Sequence, residues 1–185
     1  RAIERWPLKQ AFPIQPEMQD ITLNVILRTV FGIEEGAALV HLRQLLTRLL
    51  SVGANPLTLI PWFPRLLSPF TGRQEMTQRI QETDQVLFAE IARRKSTSTT
   101  GRTDVLSLLI DARDEEGRPM SDLELRDQLM TLLIAGHETT ATSLSWTFHQ
   151  LLQHPEVLEK LKQEIHAVAG AGPVEPQHIS KLEYL

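Results

Sequence analysis

Glu138 stands beside Thr139, with Thr140 following and Ala135-Gly136-His137 just before. A carboxylic acid next to an alcohol can do proton chemistry. The acid exchanges protons with water, and the hydroxyl can hand them to a bound species. These residues lie inside an apolar helical pattern, where polar groups need partners or a purpose. At about 100° per residue, Thr131, Ala135, Glu138 and Thr142 share one helix face, with Thr139 beside them. Ala135 and Gly136 leave that face poor in side chains, so a flat, rigid ligand could lie against it. The Thr139 hydroxyl can bond back to the carbonyl of Ala135, or release it for a ligand or a water. Gly136 lowers helix stability by about 1 kcal/mol relative to alanine, which makes local opening easy.

The element that must position this segment is a long helix. Ser121 and Glu124 are spaced as a capping box and open it. Nothing stops it before His154-Pro155, because proline cannot continue a helix. That gives roughly 30 residues, or about 50 Å, enough to cross a whole domain. Leu125, Leu129, Leu132 and Leu133 lead into the polar segment, and Leu144, Trp146, Phe148, Leu151 and Leu152 leave it. They point in several directions, so the helix is expected to be surrounded by others.

The rest of the chain also reads as helices. One runs from Pro16 to Phe31, apolar on most sides and stopped by Gly32. A second begins at Glu34-Glu35-Gly36 and extends to about Gly53. Ala54 to Gly72 is a proline-interrupted apolar loop. It reads as a loop packed on its own side chains, a lid over a hydrophobic channel, or a patch against a membrane surface. Arg73 to Arg94 is amphipathic, with Met76, Ile80, Thr83, Leu87 and Ile91 on one face. Its Arg93-Arg94-Lys95 end is expected to be solvated and to complement the helix dipole. Ser96 to Arg102 is a Ser/Thr-rich loop. Thr103 or Asp104 caps a short helix to Ala112, and a polar turn follows to Met120. After the long helix, Pro155 to Val168 forms another, with Leu158, Leu161, Ile165 and Val168 inward and a Glu156–Lys160 pair outside. Ala169 to Pro173 is a turn, and Glu175 to Leu185 holds one helical turn. No alternating strand pattern stands out, so the fold class is all-α.

Composition narrows the function. The 185 residues suit a single domain, and 42% hydrophobic residues supply a sizeable core. The net charge of −4 comes with no basic block, which argues against nucleic acid as a partner. No run of 18 apolar residues is present to span a membrane. There is no cysteine, so disulfides and zinc–thiolate sites are excluded. His137-Glu138 begins like a zinc-protease motif, but residue 141 is alanine and the motif fails. Ser143 and Ser145 lack the context of a hydrolase nucleophile. His137 reads as a structural histidine rather than a metal ligand. His41, His149, His154, His166 and His178 read as surface or capping residues.

The segment Ala135-Gly136-His137-Glu138-Thr139-Thr140 resembles the central helix of the cytochrome P450 haem-thiolate monooxygenases, whose pattern is Ala/Gly-Gly-X-Asp/Glu-Thr-Thr/Ser. Leu151 to Ile165 is similar to that family's next helix, and His178 to Leu185 to the approach to the one after. The resemblance implies a multi-helix part of the cytochrome P450 fold, built around one long central helix at about 121–153. Lid helices are expected at about 36–94, and residues 1–185 form a single partial domain. It also implies a parent enzyme that inserts one atom of O2 into an apolar organic substrate. The cofactor would be haem, and electrons would come ultimately from NAD(P)H through a ferredoxin or a flavoprotein reductase.

Several site roles follow from the same resemblance. Glu138 and Thr139 would be catalytic, with Glu138 relaying protons from solvent and Thr139 hydrogen-bonding at the oxygen-binding position. Ala135, Gly136 and Thr139 would face the haem, and Thr131, Ile134 and Ala135 would line the substrate pocket. The family's iron-binding cysteine has no counterpart here, so the chain is expected to be a central portion that is inactive alone. A soluble bacterial type of enzyme, cytoplasmic, is favoured. The rival reading is a non-catalytic all-α ligand-binding or regulatory domain with an apolar pocket.

Overall fold

The computed structural model describes residues 3–32, 40–47, 73–97 and 100–185. A 3-10 turn at Ile3–Arg5 precedes α1 (Ile14–Phe31). Helix α2 covers residues 40–47. Then come α3 (Arg73–Lys95), α4 (Val105–Asp111), α5 (Asp122–Gln153), α6 (Pro155–Ala169) and α7 (Pro176–Ile179). Among the described residues the one β feature is an isolated bridge between Arg113 and Pro119. The fold is all-α, as expected. The limits of the second predicted helix and the whole apolar loop from Ala54 to Gly72 lie outside the described residues.

Local sequence signals explain where most helices begin and end. Gly32 closes α1 with φ +59°, donating from its backbone N–H to Arg28 O at 2.8 Å. Asp104 caps α4 by accepting from the Ser107 backbone N–H at 3.0 Å. Ser121 and Glu124 form the capping box of α5, with the Ser121 backbone N–H donating to Glu124 Oε2 at 2.8 Å. Pro155 fills the first position of α6, where its missing N–H is no loss.

The core gathers one stripe from each of several helices. Leu23, Leu27, Val30 and Phe31 of α1 meet Leu125, Leu129 and Leu133 of α5, Leu87 and Ile91 of α3, Leu42 and Leu46 of α2, and Leu106 of α4. Each leucine so buried contributes about 1.5–3 kcal/mol. The most extensive helix pairing is α1 against α5, and this pairing sets the position of the candidate site.

Four expectations are corrected. The C-terminal end of α3 is not uniformly solvated, because Arg94 is completely buried. Its guanidinium donates to Asp104 Oδ1 at 2.5 Å, Ser107 Oγ at 2.6 Å, Phe31 O at 2.5 Å and Glu90 Oε1 at 3.2 Å. Two carboxylates and a helix-end carbonyl thus offset the desolvation of one cation. Helix α5 is not covered on all sides among the described residues. Leu125, Leu129, Leu133, His137 and Ala141 form a buried stripe, whereas Ile134, Trp146 and Leu152 are exposed. Helix α1 likewise has a wet side, with Val25 54% exposed. Finally, Glu156 and Lys160 do not pair. Glu156 lies 3.5 Å from His154, and the Lys160 ammonium sits 3.9 Å from the centroid of the Tyr184 ring.

Candidate functional site

The polar segment of α5 crosses α1 where an i, i+4, i+7 polar line, Gln15-Gln19-Thr22, interrupts that helix's apolar character. Gln19 engages α5 twice. Its side-chain Nε2 donates to Glu138 Oε2 at 2.9 Å, and its carbonyl oxygen lies 3.1 Å from His137 Nε2. A carbonyl only accepts, so Nε2 of His137 carries the proton in this contact. Thr22 Oγ1 adds a bond to the backbone carbonyl of His137 at 3.4 Å. His137 is therefore a structural histidine, buried in the helix contact. Its Nδ1 has no hydrogen-bond partner and lies 3.9 Å from Glu138 Oε2.

The Glu138 side chain is about half exposed, at 49%. Gln15 Nε2 reaches Oε1 at 3.4 Å, and Thr142 Oγ1 reaches the same oxygen at 3.5 Å. The carboxylate thus has three neutral donors around it while one side stays open to water. That is a suitable state for a group that must exchange protons.

On the neighbouring face, Thr139 donates its hydroxyl to the carbonyl of Ala135. Thr131 does the same one turn earlier, to Asp127 O at 2.8 Å. Both threonines therefore turn their hydroxyls back onto the helix. With Ala135 between them, they make a shallow strip of small groups, exposed to solvent and flanked by exposed Ile134. Such a strip fits one face of a flat ring system.

Gly136 has a use that the sequence does not reveal. A Cβ at this position would stand 3.3 Å from Ile26 Cδ1 of α1, so the missing side chain lets the two helices approach closely. The structure brings Thr131, Ala135, Glu138 and Thr139 onto adjoining faces of α5. It turns Gly136 and His137 towards α1, so Gly136, expected beside Ala135 and Thr139 on the haem-facing strip, packs against Ile26 of α1 instead.

Gln15 and Gln19 were missed from sequence. Their spacing with Thr22 is the signal that could have found them, because three polar residues on one line of an apolar helix must face something polar. A recess of about 720 Å3, lined by Arg28, Gly32, Gly101 and Arg102 among others, lies at the opposite end of α1 and takes no part in this site. Among the described residues no group of three or more His, Asp or Glu is arranged to hold a metal ion.

The Cytochrome P450 family model matches residues 3–185, and the chain belongs to that family. The Mycobacterium tuberculosis protein named cytochrome P450 135B1 is 44% identical over 183 residues, which are 96% of this chain and 37% of that protein. Cytochrome P450 138 of the same organism is 40% identical over 186 residues, covering 96% of this chain and 41% of that protein. Among solved structures, the haem domain of cytochrome P450DA superposes with a TM-score of 0.75 at 25% identity, covering 99% of this chain and 38% of the domain. The chain thus spans about two fifths of the length of the relatives it matches. No helix of the described residues is long and apolar enough to cross a membrane.

Proposed function

We propose that the complete protein is a haem-dependent monooxygenase that inserts one atom of O2 into an apolar organic substrate, and that this chain supplies its proton-handling helix. One observation carries the reading. Glu138 is held by three neutral donors yet stays open to solvent, one residue before a threonine whose hydroxyl is parked on its own helix. Family membership favours this reading over a non-catalytic ligand-binding domain.

The residues present fit a flat macrocycle. Ala135 and the side chains of Thr131 and Thr139 would take one face of the haem. The iron ligand would be a cysteine elsewhere in the complete protein. When bound, the haem supplies the activation of O2. The chain's own contribution is narrower. Glu138 takes protons from water and passes them inward. Thr139 can release the Ala135 carbonyl and offer its hydroxyl to whatever occupies the strip. Thr131, Ile134 and Ala135 present small and apolar surface to the substrate, which suits an apolar molecule. Electrons come from NAD(P)H through a ferredoxin or a flavoprotein reductase.

Thr139→Ala in the complete enzyme tests the reading. Removing the hydroxyl should divert electrons from product to hydrogen peroxide while reductant is still consumed. An unchanged ratio of product to reductant would overturn the role of Thr139.

A further inference from the structure

We infer that Gln19 is a positioning residue for the Glu138 proton relay, acting from a different helix. The inference rests on the reading of Glu138 given above. It deepens that reading by naming what holds the acid in place.

A glutamate on a helix surface has three rotatable side-chain bonds, and holding one rotamer costs entropy. Glu138 is half exposed, its three hydrogen-bond donors carry no charge, and the imidazole Nδ1 of His137 stands off at 3.9 Å, beyond hydrogen-bond reach. Its place therefore depends on hydrogen bonds. The shortest is from Gln19 Nε2, at 2.9 Å against 3.4 Å from Gln15 and 3.5 Å from Thr142. All three donors serve the same carboxylate, and the bonds at 3.4 and 3.5 Å lie at the long edge of hydrogen-bond geometry, so the contact from Gln19 dominates.

Two features make Gln19 more than one donor among several. First, it is anchored. Its own carbonyl contacts the buried imidazole of His137, and Thr22, three residues on, reaches the carbonyl of His137. The Gln19 backbone is thus fixed to the residue that precedes Glu138, and the side-chain amide is delivered from a set distance. Second, an amide has no titratable proton. It orients the carboxylate without forming a salt bridge that would hold the acid permanently ionised. A lysine or arginine there would add a charge favouring the ionised form, which opposes proton uptake. Gln15, one turn earlier, holds the second oxygen in the same neutral way.

The test uses the complete, haem-loaded enzyme with Gln19→Met, Gln19→Asn and Glu138→Gln. Methionine keeps the length and bulk of the side chain but cannot donate. The backbone contact to His137 survives every substitution at residue 19, so the variants retain the helix pairing.

For Gln19→Met, turnover should fall about fivefold with KM within about twofold, and the share of electrons lost to peroxide should rise. Gln19→Asn, one methylene shorter, should recover part of the loss. In the Glu138→Gln background, Gln19→Met should have no further effect, because residue 19 acts only through the acid. A crystal structure of Gln19→Met gives a readout independent of turnover. The Glu138 carboxylate should leave its present position or spread over several rotamers. The inference is overturned if the carboxylate stays in place, or if Gln19→Met turns over normally while Glu138→Gln is slow. If Glu138→Gln itself turns over at the wild-type rate, the relay reading fails first and the inference with it.

Discussion

The guanidinium of Arg94 donates to the carboxylate of Asp104 at 2.5 Å, with the two side chains 0% and 5% exposed. The contact joins the last turn of α3 to the cap of α4. Through Phe31 O it also reaches the end of α1. A planar fork can serve all three at once, which a lysine cannot.

Removing that fork should be severe. Arg94→Met leaves Asp104, Glu90 and the carbonyl of Phe31 without their shared donor inside the protein. Breaking a buried ion pair from one side costs about 3–5 kcal/mol. Urea unfolding should show a loss of that order, and Arg94→Lys should restore only a small part of it. A loss below about 1 kcal/mol would show that Arg93 and Arg102 already satisfy the two carboxylates.

The same network gives an acid limit to stability. Burial pushes the Asp104 carboxyl up, but hydrogen bonds from Arg102, Ser107 and Arg94 outweigh it, and its pKa lies below the ordinary 3.8. A carboxyl with a lowered folded-state pKa stabilises the fold fully above its unfolded value. That contribution is lost as pH falls through the lowered value. Stability from Asp104 should therefore be flat above about pH 5 and decline below about pH 4. Asp104→Asn should flatten the acid limb while lowering stability at neutral pH. An unchanged acid limb in that variant would assign the decline to other carboxylates.

Gly32 serves two purposes in one position. Its φ of +59° disfavours any side chain, and a Cβ there would come within 2.6 Å of Asp104 Oδ2. Gly32→Ala should cost more than the ~1 kcal/mol of a left-handed conformation alone, since it also displaces the carboxylate that binds Arg94. Asp104→Gly removes all three side-chain atoms that a Cβ would meet, the Asp104 Cβ at 2.9 Å included, so in that background the penalty of Gly32→Ala should shrink towards the backbone value. Equal penalties in both backgrounds would remove the steric part of the argument.

Gly136 separates helix propensity from helix packing. Alanine there gains about 1 kcal/mol of helix propensity, and its Cβ meets only the flexible end of Ile26 at 3.3 Å. Gly136→Ala should leave thermal stability equal or slightly raised. Gly136→Leu should lower it by about 1–3 kcal/mol, because α1 must move away. Calorimetry on the two variants decides the matter, and a stable Gly136→Leu protein would mean that α1 does not pack as described.

What could be read in the sequence was local. The Ser121–Glu124 box, the Gly32 stop, the Asp104 cap and the Pro155 boundary each involve residues within four positions of one another. Their chemistry acts before any tertiary contact forms. The i, i+4 bond from Thr139 to Ala135 was foreseeable for the same reason. The pattern at Ala135 to Thr140 also marked the family, through its resemblance, together with the flanks Leu151 to Ile165 and His178 to Leu185, to that family's central helix and its neighbours.

What only the tertiary structure decided concerns partners far apart in the chain. Helical periodicity says that a residue lies on a face, but not which other helix covers it. Arg94 sits in a run of three cations that looks solvated, and only the approach of Asp104, Ser107 and Phe31 makes its burial affordable. Gln19 lies 119 residues from Glu138. No local rule links a glutamine on one helix to an acid on another. The α1–α5 contact joins them, because it buries a continuous leucine stripe and so fixes which polar groups must meet where the stripe ends.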